Sequence, residues 1–146
     1  TFRMSRAEDI AELVIAAHTL TRLAAIETRN EAPAAQWRAL SVLQTEGPLR
    51  LGALATATRA TQPGMTRLVG QLADLGLVAR ESDPADSRVT LVSITAAGAA
   101  ALADWLVELR DALEPLFADL DDDDWKALSR VARILSARTN PVGATR

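Results

Sequence analysis

The residues best suited to do chemistry lie in one short stretch, 83-DPADSRVTLVSIT-95. An acidic turn comes first, Arg88 follows, and a β-branched segment completes the stretch. Asp at the first position and Pro at the second position of a turn are typical of type I geometry, so residues 83–86 are predicted to form the turn of a β-hairpin. A guanidinium held out on a hairpin suits the strongly negative potential of a narrow DNA minor groove. The alternative is that Arg88 is an ordinary solvated strand charge.

A second candidate site precedes the hairpin, on a helix predicted between Thr61 and Gly76. Thr61 is a favourable N-cap, and Pro63 fits the first turn. Apolar residues recur at helical spacing on one face: Met65, Leu68, Val69, Leu72 and Leu75. Small and hydrogen-bonding residues occupy the opposite face: Gln62, Pro63, Thr66, Arg67, Gly70, Gln71 and Asp74. Such a face suits contacts to bases and phosphates, although a solvated polar face is the alternative.

Catalytic and metal chemistry find little support in the sequence. Cysteine is absent, which excludes disulfides, thiol catalysis and cysteine redox sensing. The single histidine, His18, excludes a histidine-rich metal site. The acidic run Asp121–Asp124 is better explained by capping and by the helix macrodipole than by metal binding. We therefore predict that the protein is not an enzyme and that it has no cofactor and no metal.

Composition limits the class of protein further. The chain has 146 residues, which favours one domain, and 49% are apolar but only 3% aromatic, so the core must be aliphatic. No run of ~18 apolar residues or signal segment is found, so a cytoplasmic protein without a membrane partner is expected. The net charge is −3, yet residues 47–95 carry five Arg and four acids. The middle of the chain is therefore its least acidic part.

Helices are predicted on both sides of these sites. The first runs from 8 to about 28, and Pro33 opens a second, whose Trp37, Leu40 and Leu43 share a face. Gly47-Pro48 ends the second helix, and a short apolar piece, Leu49–Leu51, leads into a brief helix around Leu54-Ala55. The hairpin strands are predicted at Leu77–Glu81 and Arg88–Ile94. The first helix has apolar or small residues at helical spacing: Ile10, Leu13, Val14, Ala17, Thr21 and Ala24.

Behind the hairpin, Thr95 is predicted to cap a long helix with a leucine seam. The leucines are four and three residues apart in alternation, which is a heptad pattern: Leu102, Leu106, Leu109, Leu113, Leu116 and Leu120. Pro115 should kink this helix near residues 111–115. A last helix opens at Asp121 with an apolar stripe that includes Trp125, Leu128 and Leu135. We interpret the seam as a dimer interface; packing within one chain is the alternative.

Two short helices followed directly by a hairpin indicate a winged helix-turn-helix, whose second helix enters the major groove. The run 61-TQPGMTRLVGQLADLGLVARESDPADSRVTLVSIT-95 resembles the recognition helix and wing of the MarR family of multiple-antibiotic-resistance regulators. The resemblance extends to residues 36–55 in front and 95–102 behind. It implies a mostly α fold of about six helices with a small β-hairpin wing. Within a single domain, 1–146, residues 34–95 would bind DNA, and residues 5–30 and 96–140 would form the dimerisation region.

The resemblance also implies a homodimer on palindromic double-stranded DNA, with the first and last helices interlocked. Candidate DNA-binding residues on the helix and wing are Thr61, Gln62, Pro63, Thr66, Arg67, Gln71, Asp86 and Arg88, with Asp86 orienting Arg88. Candidate dimerisation residues are Leu106, Leu109, Leu113, Leu116, Leu128 and Leu135. Gly64, Gly70-Gln71 and Ser87 depart from the family pattern, and each change removes a donor or a charge. We expect these departures to weaken DNA binding.

Many members of the family lose DNA affinity when a small aromatic or anionic molecule binds. His18 and Trp37 are candidates for such an effector pocket, although Trp37 could equally be a core residue. The sequence therefore favours a dimeric, sequence-specific transcriptional regulator, a repressor released by a small ligand. The alternative is a winged-helix protein-interaction module that does not bind DNA, which the low overall charge would favour.

Overall fold

The computed structural model describes residues 5–28 and 34–139 and confirms the predicted fold class, mostly α with a small β wing. The elements are α1 (Arg6–Glu27), α2 (Ala34–Glu46), β1 (Leu49–Arg50), α3 (Leu51–Ala57), α4 (Gln62–Asp74), β2 (Val78–Asp83), β3 (Asp86–Ile94), α5 (Ala96–Leu113), a 3₁₀-helix (Glu114–Phe117) and α6 (Asp122–Thr139). Pro33, predicted to open the second helix, lies outside the described residues.

Two compact units divide the chain. One comprises Thr1–Glu31 and Trp105–Asp119, and the other comprises Ala32–Asp104 and Leu120–Arg146. All winged-helix elements, from α2 to β3, belong to the second unit. The boundaries of the dimerisation and DNA-binding parts that the sequence suggests stay a prediction.

Helix α1 starts two residues earlier than predicted because Ser5 and Glu8 form a capping box. The Glu8 backbone N–H donates to Ser5 Oγ at 3.2 Å, and the Ser5 backbone N–H donates to Glu8 Oε2 at 2.7 Å. Each bond satisfies an amide that the first helical turn leaves without a partner. The helix buries only Ala24 and exposes Ile10, Val14, Ile15 and Ile26 by 62–70%. Helix α1 therefore carries a large apolar surface.

The core of the second unit is aliphatic, as the composition requires. Its least exposed large side chains are Leu40, Leu43, Leu54, Met65, Val69, Leu72 and Val92. These residues come from α2, α3, α4 and β3, so the helix-turn-helix and the sheet share one core. Leu75, placed on the apolar face of α4 by its spacing, is instead 62% exposed. It is the C-cap of α4, where the chain leaves the helix, so the helical period no longer applies.

The sheet has three antiparallel strands in the order β1-β3-β2. Strand β1 replaces what the sequence suggested was only an apolar connection; Leu49 pairs with Val92, and Arg50 pairs with Leu91. The hairpin strands are longer than predicted because Asp83 pairs directly with Asp86, which leaves a turn of only Pro84 and Ala85. The register shifts between Ser82, opposite Thr90, and Asp83, so residues 87–89 fall in an irregularity of β3.

The base of the wing is joined to Thr95, the residue before α5, by two hydrogen bonds. The Thr95 amide donates to the Leu77 carbonyl at 3.1 Å, and the Thr95 hydroxyl donates to the Gly76 carbonyl at 2.7 Å. The same hydroxyl accepts from the Gly98 amide at 3.0 Å, so the predicted cap is confirmed. A Cβ at Gly98 would overlap the Leu77 carbonyl oxygen. The α5 backbone can approach this closely only because residue 98 has no side chain.

Pro115 ends the long helix instead of kinking it. Helix α5 stops at Leu113, and Glu114–Phe117 form a 3₁₀-helix with Pro115 in its first turn. Proline lacks the amide that a continued α-helix needs. The predicted single seam is therefore wrong beyond Leu113, since Leu116 lies in the 3₁₀-helix and Leu120 precedes α6.

Helix α6 is capped by Asp121, whose Oδ1 accepts from the Asp124 amide at 2.8 Å, which agrees with the capping interpretation of the acidic run. Every residue of α6 is exposed, including its apolar stripe of Trp125, Leu128, Val131 and Leu135, which are 37–43% accessible.

Within residues 5–28 and 34–139, no helix is long and apolar enough to cross a membrane. Nor does any group of three or more His, Asp or Glu in this described part form a candidate metal site.

Candidate nucleic-acid interface

Helix α4 presents its polar face to solvent. Met65, Val69 and Leu72 are buried, which turns the opposite side of the helix outward. All six candidate residues in and before the helix are exposed: Thr61, Gln62, Pro63, Thr66, Arg67 and Gln71. None of the ion pairs in the described part of the chain involves Arg67. Its five N–H donors are therefore free of competing carboxylates and available to a base or a phosphate.

The two threonines of this face differ in what they can offer a ligand. Thr61 Oγ1 accepts from the Gly64 amide at 3.2 Å and so caps the helix while its own proton stays available for a phosphate oxygen. Thr66 Oγ1 donates to the Gln62 carbonyl at 2.9 Å, so its proton is used and its lone pairs remain. Thr61 is thus a donor and Thr66 an acceptor in this conformation.

The glycines of α4 have local roles that the sequence did not indicate. A Cβ at Gly64 would lie 2.9 Å from the Thr61 hydroxyl oxygen, so Gly64 leaves room for the cap. Gly70 faces the wing strand β2, where Arg80 Nη1 lies 3.9 Å from the position that a Gly70 Cβ would take. The Arg80 guanidinium of the wing therefore lies beside Gly70, one of the positions where the chain lacks a donor or charge of the family pattern.

The turn between α3 and α4 contains Arg59 in a left-handed conformation, with φ of 56°. The Ala60 amide donates to the Ala55 carbonyl at 2.9 Å, which closes a Schellman-type ending around Arg59. Glycine is the usual residue at such a position because a Cβ is unfavourable there. The same ending occurs after α4, where Gly76 has φ of 75° and confirms the predicted stop.

On the wing, Asp86 and Arg88 form a two-point ion pair. Arg88 Nε lies 3.1 Å from Asp86 Oδ1, and Nη2 lies 3.2 Å from Oδ2. The Arg88 amide also donates to Asp86 Oδ1 at 3.1 Å. The Arg88 side chain is 89% exposed, whereas the Asp86 side chain is 35% exposed. The carboxylate holds the guanidinium at a fixed angle while one edge of it stays open to solvent.

Asp83 forms a second ion pair, which the sequence did not predict. Its Oδ2 accepts from Arg50 Nε at 2.7 Å, and its Oδ1 accepts from the Ala85 amide at 2.8 Å. Arg50 and Asp83 are 33 positions apart, so no spacing rule could have joined them. Both acids of the wing turn are thus neutralised by arginines.

The pKa values of these two carboxyls are lowered from their ordinary value. For Asp83 the main cause is the hydrogen bond from the Ala85 amide, and Arg50 adds to it while partial burial opposes it. For Asp86 the main cause is the side-chain hydrogen bond from Arg88, and the Arg88 amide acts in the same direction. Both groups are therefore ionised at neutral pH.

The remaining candidate residues are distributed over both units. His18 is exposed on α1, whereas Trp37 is only 8% exposed in the core formed by α2, so its burial favours the core interpretation. Leu106 and Leu116 are 53% and 55% exposed, Leu109 and Leu113 are half-buried, and Leu128 and Leu135 on α6 are 38% and 37% exposed.

Comparisons with known proteins agree with this geometry. Residues 32–89 match the model of the MarR family. An HTH-type transcriptional regulator of Mycobacterium leprae is 44% identical over 80 residues, which are 50% of this chain and 56% of the relative. This chain thus spans about half the length of that relative.

Solved structures are similar over most of the chain. Wild-type MarR from E. coli has a TM-score of 0.72 at 20% identity, covering 92% of this chain and 98% of that one. BpsR from Bordetella bronchiseptica, whose DNA binding is regulated by 6-hydroxynicotinic acid, has a TM-score of 0.57 at 25% identity, covering 88% and 98%.

A helix-turn-helix followed by a two-stranded hairpin on one core defines a winged helix-turn-helix protein. The family match takes in α2, α3, α4, β2 and the start of β3, which are elements that define this class. Residues 32–89, the winged helix-turn-helix part of the chain, match the MarR family, as the helix and wing residues had indicated.

Proposed function

We propose that this protein is a dimeric, sequence-specific DNA-binding transcriptional regulator. The observation that carries the proposal is the pairing of two exposed elements in one compact unit. The polar face of α4 is open, and the wing holds Arg88 outward on a carboxylate. Because Asp83 and Asp86 are both paired with arginines, the local surface repels phosphate less than its acid count suggests.

Each element would have its own part in recognition. Helix α4 would enter the major groove, where Arg67 can pair with a guanine edge and Gln71 can pair with an adenine. Thr61 would donate to a phosphate at the helix N-terminus. Arg88 would enter the adjacent minor groove, and Asp86 would set its direction. Phosphate contacts would then position the protein, and the side chains of α4 would read the sequence.

A homodimer would bring two such units onto an inverted repeat. Its support is that α1 and α6 each expose apolar side chains, since an apolar stripe in contact with water favours association. A two-fold dimer uses the same surface on both subunits, so one stripe serves both. Leu106, Leu109, Leu113, Leu116, Leu128 and Leu135 remain the proposed dimerisation residues.

Regulation by a small aromatic or anionic molecule is proposed from the family and from BpsR, whose DNA binding responds to 6-hydroxynicotinic acid. Such a ligand must bind the DNA-free protein more tightly by the factor by which it weakens DNA binding. A panel of aromatic acids, 6-hydroxynicotinic acid included, should raise the melting temperature and lower DNA affinity together. If no acid of the panel changes either quantity, release by this class of compound is contradicted. Repression and a cytoplasmic location stay predictions.

The proposal is tested by titrating a mixed-sequence duplex at low salt. A DNA-binding protein should bind it, and the affinity should fall steeply as salt is added, because counterions are released. Arg67→Ala should weaken the complex, whereas Arg110→Ala is a control because Arg110 lies on α5 and not on α4 or the wing. No binding at low salt would contradict the proposal and favour the protein-interaction module.

A further inference from the structure

The Arg50–Asp83 pair joins two parts of the winged helix that the backbone connects only indirectly. Arg50 is the last residue of β1 and the N-cap residue of α3, so its position is tied to the helix-turn-helix. Asp83 is the last residue of β2, beside the two-residue turn of the wing. Arg50 Nε donates to Asp83 Oδ2 at 2.7 Å.

Both oxygens of the Asp83 carboxylate accept a hydrogen bond within the protein. One oxygen accepts from Arg50 and the other accepts from the Ala85 amide in the turn. Its side chain is only 12% exposed, whereas the Arg50 side chain is 54% exposed. A carboxylate with both oxygens committed and little contact with water holds its partners in a defined geometry.

The wing needs such a connection near its outer end. Regular pairing between β2 and β3 stops at Ser82 and Thr90, where the register shifts. Asp86 pairs with Asp83 beyond that shift, but Arg88 lies in the irregular segment between the two, so the regular ladder does not fix Arg88. The positive charge of Arg50 also acts on Asp86 and lowers its pKa, which places Arg50 within electrostatic range of both wing acids.

We propose that Arg50 and Asp83 form a strut that fixes the wing, and with it Arg88, relative to α4. In this role Arg50 is a positioning residue and not a phosphate ligand. The inference rests on the proposed function for its effect on DNA binding, but the strut itself can be tested without DNA.

The direction in which one substitution changes DNA affinity distinguishes a positioning role from a purely electrostatic one. Asp83 is an acid on a surface that would face phosphates, so removing its charge alone should strengthen DNA binding. A positioning role predicts the opposite. Asp83→Asn suits the test because the amide keeps the shape and an oxygen for the Ala85 amide. Glu81→Gln is the matched control: Glu81 is an exposed acid on the same strand and takes part in none of the described ion pairs.

DNA affinity should be measured by fluorescence anisotropy on one labelled duplex over a series of salt concentrations. Asp83→Asn should weaken binding by about five- to thirty-fold, which corresponds to ~1–2 kcal/mol. Its salt slope should equal that of the wild type, because no phosphate contact is lost. Glu81→Gln should bind as tightly as the wild type or more tightly.

Variants of Arg50 complete the test. Arg50→Gln should lose as much affinity as Asp83→Asn, and the double variant should lose no more, because the two residues act through one contact. Arg50→Lys, which keeps a donor for Asp83, should recover most of the affinity. If Asp83→Asn tightens binding while Arg50→Gln flattens the salt slope by ~0.9 per site, Arg50 is a phosphate ligand and the strut is contradicted.

Hydrogen exchange of the free protein supplies the readout without DNA. Amides of residues 78–94 should exchange faster in Asp83→Asn than in Glu81→Gln or the wild type, while those of α4 stay protected. Equal wing exchange in all three proteins would overturn the strut. Failure of the wild type to bind any duplex would overturn the proposed function instead, and exchange would still decide the inference.

Discussion

At the scale of single residues, Asp86 and Arg88 are two positions apart, and the backbone of β3 brings their side chains into a two-point contact. An exposed ion pair contributes little to stability, because water screens it and two side chains lose freedom. The effect of this ion pair is instead to hold the Arg88 guanidinium, which is 89% exposed, in one orientation. A side chain that is already oriented loses less entropy when it binds a groove.

Changing Arg88 to Ala should leave the melting temperature within error of the wild type. Operator binding should weaken by ~1–3 kcal/mol for each arginine, and a dimer has two. The slope of log K against log salt should shrink by about 0.9 for each lost contact. Asp86→Ala should cause a smaller loss with nearly the wild-type slope, because it removes only the orientation of Arg88. Equal affinity for wild type and Arg88→Ala at matched salt would mean that the wing is not a DNA element.

The pKa shifts of Asp83 and Asp86 predict how the wing responds to acid. Folding lowers both pKa values from the ordinary value of 3.8. The ionised carboxylates therefore stabilise the folded wing fully above that pH, and this stabilisation is lost as the pH falls through the lowered pKa values. The affinity ratio of wild type to Asp83→Asn should therefore be constant between pH 8 and pH 5, as measured by anisotropy titrations at constant salt. A ratio that changes steadily across this range would show that another titrating group controls the wing.

At the scale of elements, the close packing of α5 against the wing base depends on one glycine. Gly98→Ala places a Cβ against the Leu77 carbonyl, where backbone must move, so the free energy of unfolding should fall by about 1–3 kcal/mol. Gly70→Ala is a matched control in α4, since its nearest neighbour is the flexible end of Arg80 at 3.9 Å. That substitution should raise stability by up to about 1 kcal/mol, because alanine favours helix. Urea denaturation measures the free energy of unfolding of both variants. Equal changes in the two variants would contradict the close approach of Gly98 to the Leu77 carbonyl.

The elements also show which features a sequence can predict. Helix α4 was predicted well because Thr61, Pro63 and Gly76 are local signals at its two ends. Strand β1 was missed because two residues carry no periodicity and its partner is more than 40 positions away. Pro115 was recognised as a disruption, but only tertiary structure decides between a kink and a helix end. The exposed positions of α4 follow from helical spacing, and the Asp86–Arg88 contact is what the family resemblance implies, whereas neither indicates the Arg50–Asp83 pair.

At the scale of the whole molecule, the exposed stripe of α6 predicts association. Replacing Leu128 and Leu135 together by Glu puts two charges into this stripe and should convert a dimer into a monomer at micromolar concentration. Lys126→Glu, on the polar side of the same helix, should leave the dimer intact. Sedimentation equilibrium measures both. A wild-type monomer at micromolar concentration would contradict the dimer, and the operator would then need no inverted repeat.

Selection of bound sites from a pool of random duplexes shows whether the protein is a sequence-specific, two-fold symmetric DNA-binding dimer. A two-fold dimer that places one α4 in each of two major grooves must enrich an inverted repeat, with half-sites centred about 10–10.5 base pairs apart or a multiple of that spacing. Arg88→Ala should retain the major-groove half-sites and relax the flanking positions read by the wing. Enrichment of no sequence, or of a single half-site without a symmetric partner, would contradict the account.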